Sequence, residues 1–242
     1  MKHNMTDRNA VELFTWKSQA QLASMQGAAR PGPLRRTLRG TVVALACAAF
    51  AASVQRPAEA VPSSSPPLQQ WVMQTGDNER APFIIIDKRQ ARLWLFNDAG
   101  KLLGDTQVLL GRAQGDSSVP GIGEREMKNI QVHERTTPAG RFVAEAGRNQ
   151  DGEDIFWIDY DAAVSMHRIR VSNPVEQRAQ RLASPTAADN RISFGCVNVP
   201  AQFYDQRIRP AFTGRRGVVY VLPETVPVGL LFKPGKNLPG RP

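Results

Sequence analysis

From Phe83 onward the chain is cut into short β-prone runs by closely spaced turn residues. Phe83-Ile84-Ile85-Ile86-Asp87 is the first run, the turn around Lys88-Gln90 leads to a second at Ala91–Phe96, and the turn tetrapeptide Asn97-Asp98-Ala99-Gly100 leads to a third at Lys101–Leu110. Runs of this length with intervening turn signals predict an antiparallel meander. Further strands are predicted at Arg141–Ala146, Ile155–Asp159, Ala163–His167 and Gly217–Leu222. Between them, residues 112–135 carry Gly115, Pro120, Gly121 and Gly123, with Gly111 just before, but no sustained period, which predicts a long surface loop, usually functional or mobile.

Two helices are expected. Asn173-Pro174-Val175-Glu176 sets a capping side chain, a proline at the first helical position and a glutamate at the third, opening a helix to about Leu182. The second starts at Pro200 and ends at Arg209, before Pro210. The stretch from Pro223 has five prolines and reads as an irregular tail, and no internal repeat is present. The class is therefore mainly β, a single curved sheet or sandwich-like domain with a few short helices over 81–223.

The first sixty residues read as a leader. Arg35, Arg36 and Arg39 precede an uncharged run of 14 residues, Thr41–Val54, and Ala58-Glu59-Ala60 follows as a small-x-small cleavage site. This is the layout of an export signal, and the run is short of the about 18 residues that a membrane-spanning helix needs. Cleavage is expected after Ala60, followed by a linker over 61–80 that begins Val-Pro-Ser-Ser-Ser-Pro-Pro; the 224–242 segment is the tail. Arg35-Arg36 only loosely matches a twin-arginine signal, Ala44-Leu45-Ala46-Cys47 is a poor lipoprotein box, and Met25 offers a more ordinary start. Membrane contact is thus expected only in transit, through the signal, with the mature protein in the periplasm or cell envelope.

The leader changes the meaning of two totals. The whole chain has 31 Lys and Arg, 22 Asp and Glu, and a net charge of +9, which invites a nucleic-acid reading. Cleavage removes eight of those basic and three of those acidic residues, leaving 23 against 19, or +4, interspersed and without a long basic stripe. Nucleic acid drops out as the expected partner. Of the two cysteines, Cys47 leaves with the leader, so Cys196 alone faces an oxidising compartment. One cysteine and two mature-chain histidines at unrelated spacing make no metal motif.

Cys196 stands in Arg191-Ile192-Ser193-Phe194-Gly195-Cys196-Val197-Asn198-Val199-Pro200, between a glycine and the start of the second predicted helix. A nearby helix N-terminus lowers a thiol pKa from its free value of about 8.5. A buried structural cysteine is the competing reading. A nucleophile needs a base, and His133 sits in the long polar loop beside Glu134 and Arg135, as a solvated residue. His167 ends the Ala163–His167 strand and is the partner that completes a Cys–His pair.

These residues carry a resemblance. Ser193-Phe194-Gly195-Cys196-Val197-Asn198, preceded by His167 and by Thr137-Pro138-Ala139-Gly140-Arg141-Phe142, resembles the L,D-transpeptidase (YkuD-type) catalytic domain of bacterial cell-wall enzymes. The resemblance spans about 82–222. It implies Cys196 as nucleophile, His167 as the group that takes its proton, and the carbonyl of Arg168 as the group that orients the imidazole. It also implies backbone N–H groups of Gly195 and Cys196 in an oxyanion hole. Two positions depart from the family pattern: Phe194 replaces its second histidine, and 25 residues separate His167 from Ser193, a longer gap than usual, which the predicted helix at Asn173–Leu182 would fill.

The implied activity is acyl transfer on peptidoglycan stem peptides through a Cys196 thioester, with an amine or water as acceptor and no cofactor or metal. Ser193, Phe194, Arg191, Asn198 and Arg170 form the expected substrate-binding set. Arg168, Arg170 and Arg191 stand near the catalytic pair as candidates for substrate carboxylates, each with solvated surface charge as the plain alternative. Asn198 either binds substrate or hydrogen-bonds the turn before Pro200. A non-catalytic peptidoglycan-binding envelope protein on the same scaffold is the alternative function.

Overall fold

The run Phe83–Asp87 becomes β1, a strand covered on both faces, which is why four consecutive apolar residues can occupy it. In the computed structural model, which describes residues 66–233, β1 pairs in parallel with β10 (Gly217–Leu222) and antiparallel with β2 (Arg92–Phe96). The segment read as an export signal, the first residues of the stretch read as linker and the end of the tail lie outside the described residues. Alternation sends Ile84 and Ile86 into one core with Leu93, Leu95, Val219 and Val221, and Phe83 and Ile85 into a second with Trp94, Phe96 and Tyr220.

The remaining strands are β3 (Leu102–Gln107), β4 (Leu110–Gly111), β5 (Gly140–Arg148), β6 (Asp154–Asp159), β7 (Val164–Arg168), β8 (Arg191–Ser193) and β9 (Val197–Val199). Eight form one sheet in the order β3-β2-β1-β10-β5-β6-β7-β9, and β4 pairs with β8 separately. Leu109, two residues past β3, bridges Asn198 on β9, so the sheet curves until its two edges nearly meet. The fold is mainly β, a strongly curved sheet with short helices.

Several expectations are corrected. The fold starts before Ala81: Pro67–Thr75 is a helix, within the stretch read as linker. Pro67 occupies its first turn, Gly76 closes it in the left-handed region at φ 68°, and Leu68 and Val72 are buried in the second core. The tail is also partly ordered, with a helix at Val228–Leu231 and a buried Phe232 against Trp71 and Tyr220. The single helix expected at Asn173–Leu182 is two pieces, Pro174–Glu176 and Arg178–Ala183, broken where Gln177 adopts φ 47°. Asn173 does cap the first piece, accepting from the Val175 N–H.

Pro210 does not end the second helix. An α-turn at Ala201–Phe203 runs into a π-turn at Tyr204–Ile208 and on through Arg209–Phe212. A proline lacks the N–H that would continue the ladder and crowds the carbonyl four residues back, and the wider π-turn directly upstream absorbs both defects. Tyr204, Ile208, Ala211 and Phe212 close the first core from this helix. Among the described residues no helix is long and apolar enough to cross a membrane.

Candidate active site

Strands β7 and β9 run in parallel, with Met166 beside Val197 and His167 beside Asn198. Met166 and Val197 point into the first core, so alternation turns Ser165, His167, Cys196 and Asn198 to the other face. There the Cys196 sulfur receives the Ser165 N–H at 3.5 Å, with the Ser165 hydroxyl at 3.7 Å and the Ala163 carbonyl oxygen at 3.7 Å. His167 Nδ1 is 2.8 Å from the carbonyl oxygen of Arg168. A carbonyl only accepts, so Nδ1 carries the proton and Nε2 is the basic nitrogen of the neutral ring. Burial pushes the Cys196 thiol up, but the hydrogen bond and charge of His167 and the donors of Ser165 outweigh it and hold the thiol below its ordinary value.

Asn198 is fully buried and settles the far side of the imidazole. Its Oδ1 accepts from Arg178 Nη1 at 2.5 Å, and a guanidinium only donates, so Nδ2 is left facing His167 Nε2 and the Cys196 carbonyl oxygen, both at 3.4 Å. Arg178 comes from the segment that makes the His167-to-Ser193 gap long. Its Nε is held by Glu176 Oε2 at 2.5 Å.

Two turns present the cysteine. The Ser193 hydroxyl donates to the Cys196 carbonyl oxygen at 2.6 Å and accepts from the Gly195 N–H at 3.1 Å, closing the Ser-Phe-Gly-Cys turn on itself. Ser193 is 3% exposed. This corrects two expectations: Ser193 closes the turn, and the Gly195 N–H is directed to it instead of to an oxyanion position. Gly195 sits at φ 136°, and a Cβ there would come within 2.7 Å of the Thr136 carbonyl oxygen. Beneath it, the Thr137 hydroxyl donates to the Gly195 carbonyl at 2.8 Å and accepts from the Gly111 N–H at 2.9 Å. The helix N-terminus expected beside the thiol is displaced, because β9 intervenes before Ala201.

The three arginines read as candidates for substrate carboxylates are each already ion-paired. Arg168 points to the face opposite His167, where it pairs with Asp205 at 2.6 Å and Asp154 at 3.0 Å and lies over the Tyr204 ring. Hydrogen bonding to Asp205 holds its guanidinium above its usual pKa, ahead of burial, which opposes the rise. Arg170 pairs with Asp151 and Glu153, and Arg191 with Glu224 at 2.5 Å. Lys88, fully buried, joins the last group through Asp116 at 2.8 Å and Glu224 at 3.4 Å.

The guanidinium that borders the cysteine is Arg125, from the 112–135 loop. With Cys196, Phe194, Met127, Ile130 and Ala163 it lines a cavity of about 70 Å³. Its Nη2 donates to Glu134 at 3.0 Å, while its buried Nε has no partner among the described residues. Phe194 lines the same cavity, with Arg135 stacked 3.8 Å over its ring. The unexplained length of the loop was the only sequence signal for Arg125. His133 is exposed on that loop and is not among the cavity's lining residues. Among the described residues no group of three or more His, Cys, Asp or Glu could hold a metal ion.

No protein-family model matches the chain, and no curated protein matches it. Among solved structures it is similar to the helical cell shape determining protein Pgp2 from Campylobacter jejuni, at 13% identity and a TM-score of 0.40 over 65% of this chain and 55% of that one. It is similar to the catalytic domain of an E. faecium L,D-transpeptidase at 20% identity and a TM-score of 0.32, over 59% of this chain and 98% of that one. Mycobacterium tuberculosis L,D-transpeptidase 1 gives 13% identity and a TM-score of 0.32, over 58% and 61%.

Proposed function

We propose that this chain is a cysteine acyltransferase of the L,D-transpeptidase type, acting in the cell envelope on peptidoglycan stem peptides. The observation that carries the reading is the arrangement around the sulfur: a thiol of lowered pKa beside an imidazole whose tautomer is fixed by the Arg168 carbonyl. His167 Nε2 takes the thiol proton, and the thiolate adds to the carbonyl carbon at the L-centre of a diamino acid. The carbon–nitrogen bond to the terminal D-residue then breaks, the imidazolium returns its proton to the departing amine, and a thioester to Cys196 remains. An amine of a second stem attacks that thioester, giving its proton to Nε2, and the thiolate leaves, so a crosslink is formed. Water in place of the amine makes the protein an L,D-carboxypeptidase.

With the Gly195 N–H directed to Ser193, the Cys196 N–H is the backbone donor assigned to the developing oxyanion. Arg125 takes the part expected of Arg168, Arg170 and Arg191: its unpartnered Nε–H on the cavity wall suits a substrate carbonyl or carboxylate. Asn198 holds the imidazole in place. The export reading of residues 1–60 belongs to the same proposal.

A peptidoglycan-binding envelope protein without turnover is the second reading, favoured by Phe194 and by the small cavity over the sulfur. Incubation with a carbapenem separates the two. The acyltransferase gives one stoichiometric adduct by intact mass, lost in Cys196→Ala and His167→Ala, whereas an unmodified mass on folded protein overturns it.

A further inference from the structure

The face that carries Ser165 and His167 does not end at β7. Trp157 on β6 is the direct antiparallel partner of Ser165, and Glu145 on β5 is the direct partner of Trp157, so their side chains stand on that same face. Ser165 touches the Cys196 sulfur, so Glu145 on β5 is two strand spacings away from it, roughly 10 Å. The Trp157 indole lies across Gly147, where a Cβ would come within 2.5 Å of its ring. Tyr160 stacks on it with ring centroids 5.0 Å apart and planes 27° apart, and is itself 54% exposed. The Tyr160 hydroxyl donates to Glu145 Oε1 at 3.3 Å, and Arg216 Nε donates to Glu145 Oε2 at 3.2 Å. Val143, 48% exposed, lies two residues before Glu145 on the same face. The tight turn from Tyr160 to Ala163 joins this pair to the cysteine, because Ala162 and Ala163 line the cavity that holds it.

The outer face of the half-exposed Tyr160 ring, backed by the Trp157 indole on which it stacks and rimmed by a carboxylate and a guanidinium, fits the apolar C–H face of a pyranose with its hydroxyl and amide groups turned to the rim. We propose that Trp157 and Tyr160 form a glycan subsite that holds an N-acetylated amino sugar of the strand whose stem peptide reaches Cys196; this rests on the peptidoglycan reading above. The Trp157 indole N–H, which has no acceptor among the described residues, and Glu145 supply the polar contacts. The occupant is a sugar and not a second protein surface, because the exposed aromatic area is a single ring backed by a second and bounded by charge.

Titration of the ¹⁵N-labelled protein with an N-acetylglucosamine tetramer, which carries no peptide, tests this. The Trp157 indole N–H resonance, identified by its loss in Trp157→Phe, shifts and saturates. Tyr160→Ala weakens the binding about tenfold or more, and Tyr160→Phe, which keeps the ring, leaves it near the parent value. No saturable shift, or one unchanged in Tyr160→Ala, overturns the proposal. The outcome is independent of the chemistry at the sulfur. Sugar binding without a carbapenem adduct keeps the subsite and removes acyl transfer, and an adduct without sugar binding removes the subsite alone.

Discussion

Replacing Thr137 by valine keeps the shape of the side chain and deletes one hydroxyl that serves two buried backbone groups. The residue is 1% exposed. Its hydroxyl donates to the Gly195 carbonyl and accepts from the Gly111 N–H, at 2.8 and 2.9 Å, and both glycines are buried. Leaving a buried donor or acceptor unpaired costs about 1–3 kcal/mol, so the pair amounts to about 2–6 kcal/mol, a large share of the about 5–15 kcal/mol that a domain has. Urea unfolding is expected to show this loss with an unchanged slope, while Thr137→Ser, which retains the hydroxyl, stays within about 1 kcal/mol of the parent. The Gly195 carbonyl also anchors the Cys196 turn, so alkylation of the thiol at neutral pH should slow about tenfold, equivalent to about 1.4 kcal/mol. A Thr137→Val protein within about 0.5 kcal/mol of the parent, the range of a surface change, would refute the reasoning.

Arg178→Met leaves the buried Asn198 Oδ1 unpaired and its amide free to rotate, so carbapenem acylation slows and urea stability falls by about 1–3 kcal/mol. Asp116 accepts from Lys88, Glu224 and Thr225; burial raises its carboxyl pKa, but these donors outweigh it and hold the group well below the usual range. Its folded pKa lies under its unfolded value of about 3.9, so its contribution is complete above that pH and is lost as the pH falls below it. Thermal melts of Asp116→Asn are therefore expected to show a lower Tm at pH 7 and a shallower decline below about pH 4 than the parent. A chain shortened to begin at Ala81 loses the burial of Leu68 and Val72, roughly 1.5–3 kcal/mol each, and its urea midpoint falls accordingly.

The strands legible in the sequence were those whose own residues specify them. β1, β2, β5, β6, β7 and β10 are β-branched or aromatic runs between turn residues, and their observed bounds fall within a few residues of the expected ones. β8 and β9 are three residues each on either side of Cys196, and their partners, β4 and β7, are distant in sequence, so no local pattern announces them. The helix at Pro67–Thr75 was hidden by the proline and serine residues that precede it, although Leu68, Val72 and Gly76 had the spacing of a buried face and its stop. The juxtaposition of the lone cysteine and the strand-end histidine was suggested by residue type and position, and the fold brings the two side chains together. Period-two alternation alone sends Arg168 away from His167. The carboxylates that claim Arg168 and Arg191, at Asp205 and Glu224, are 37 and 33 residues away, a pairing that only the folded sheet creates. Arg125 and the Trp157–Tyr160 step had no motif to mark them, because each depends on which loop or strand comes to lie beside the cysteine.

The central claim is that His167 activates Cys196, and the pH profile of Cys196 alkylation measures it most directly. The parent thiol is expected to titrate below the about 8.5 of a free cysteine, and His167→Ala to raise that midpoint by removing the hydrogen bond and charge that offset burial. A parent thiol that titrates as a free one, with the same midpoint in His167→Ala, contradicts the account.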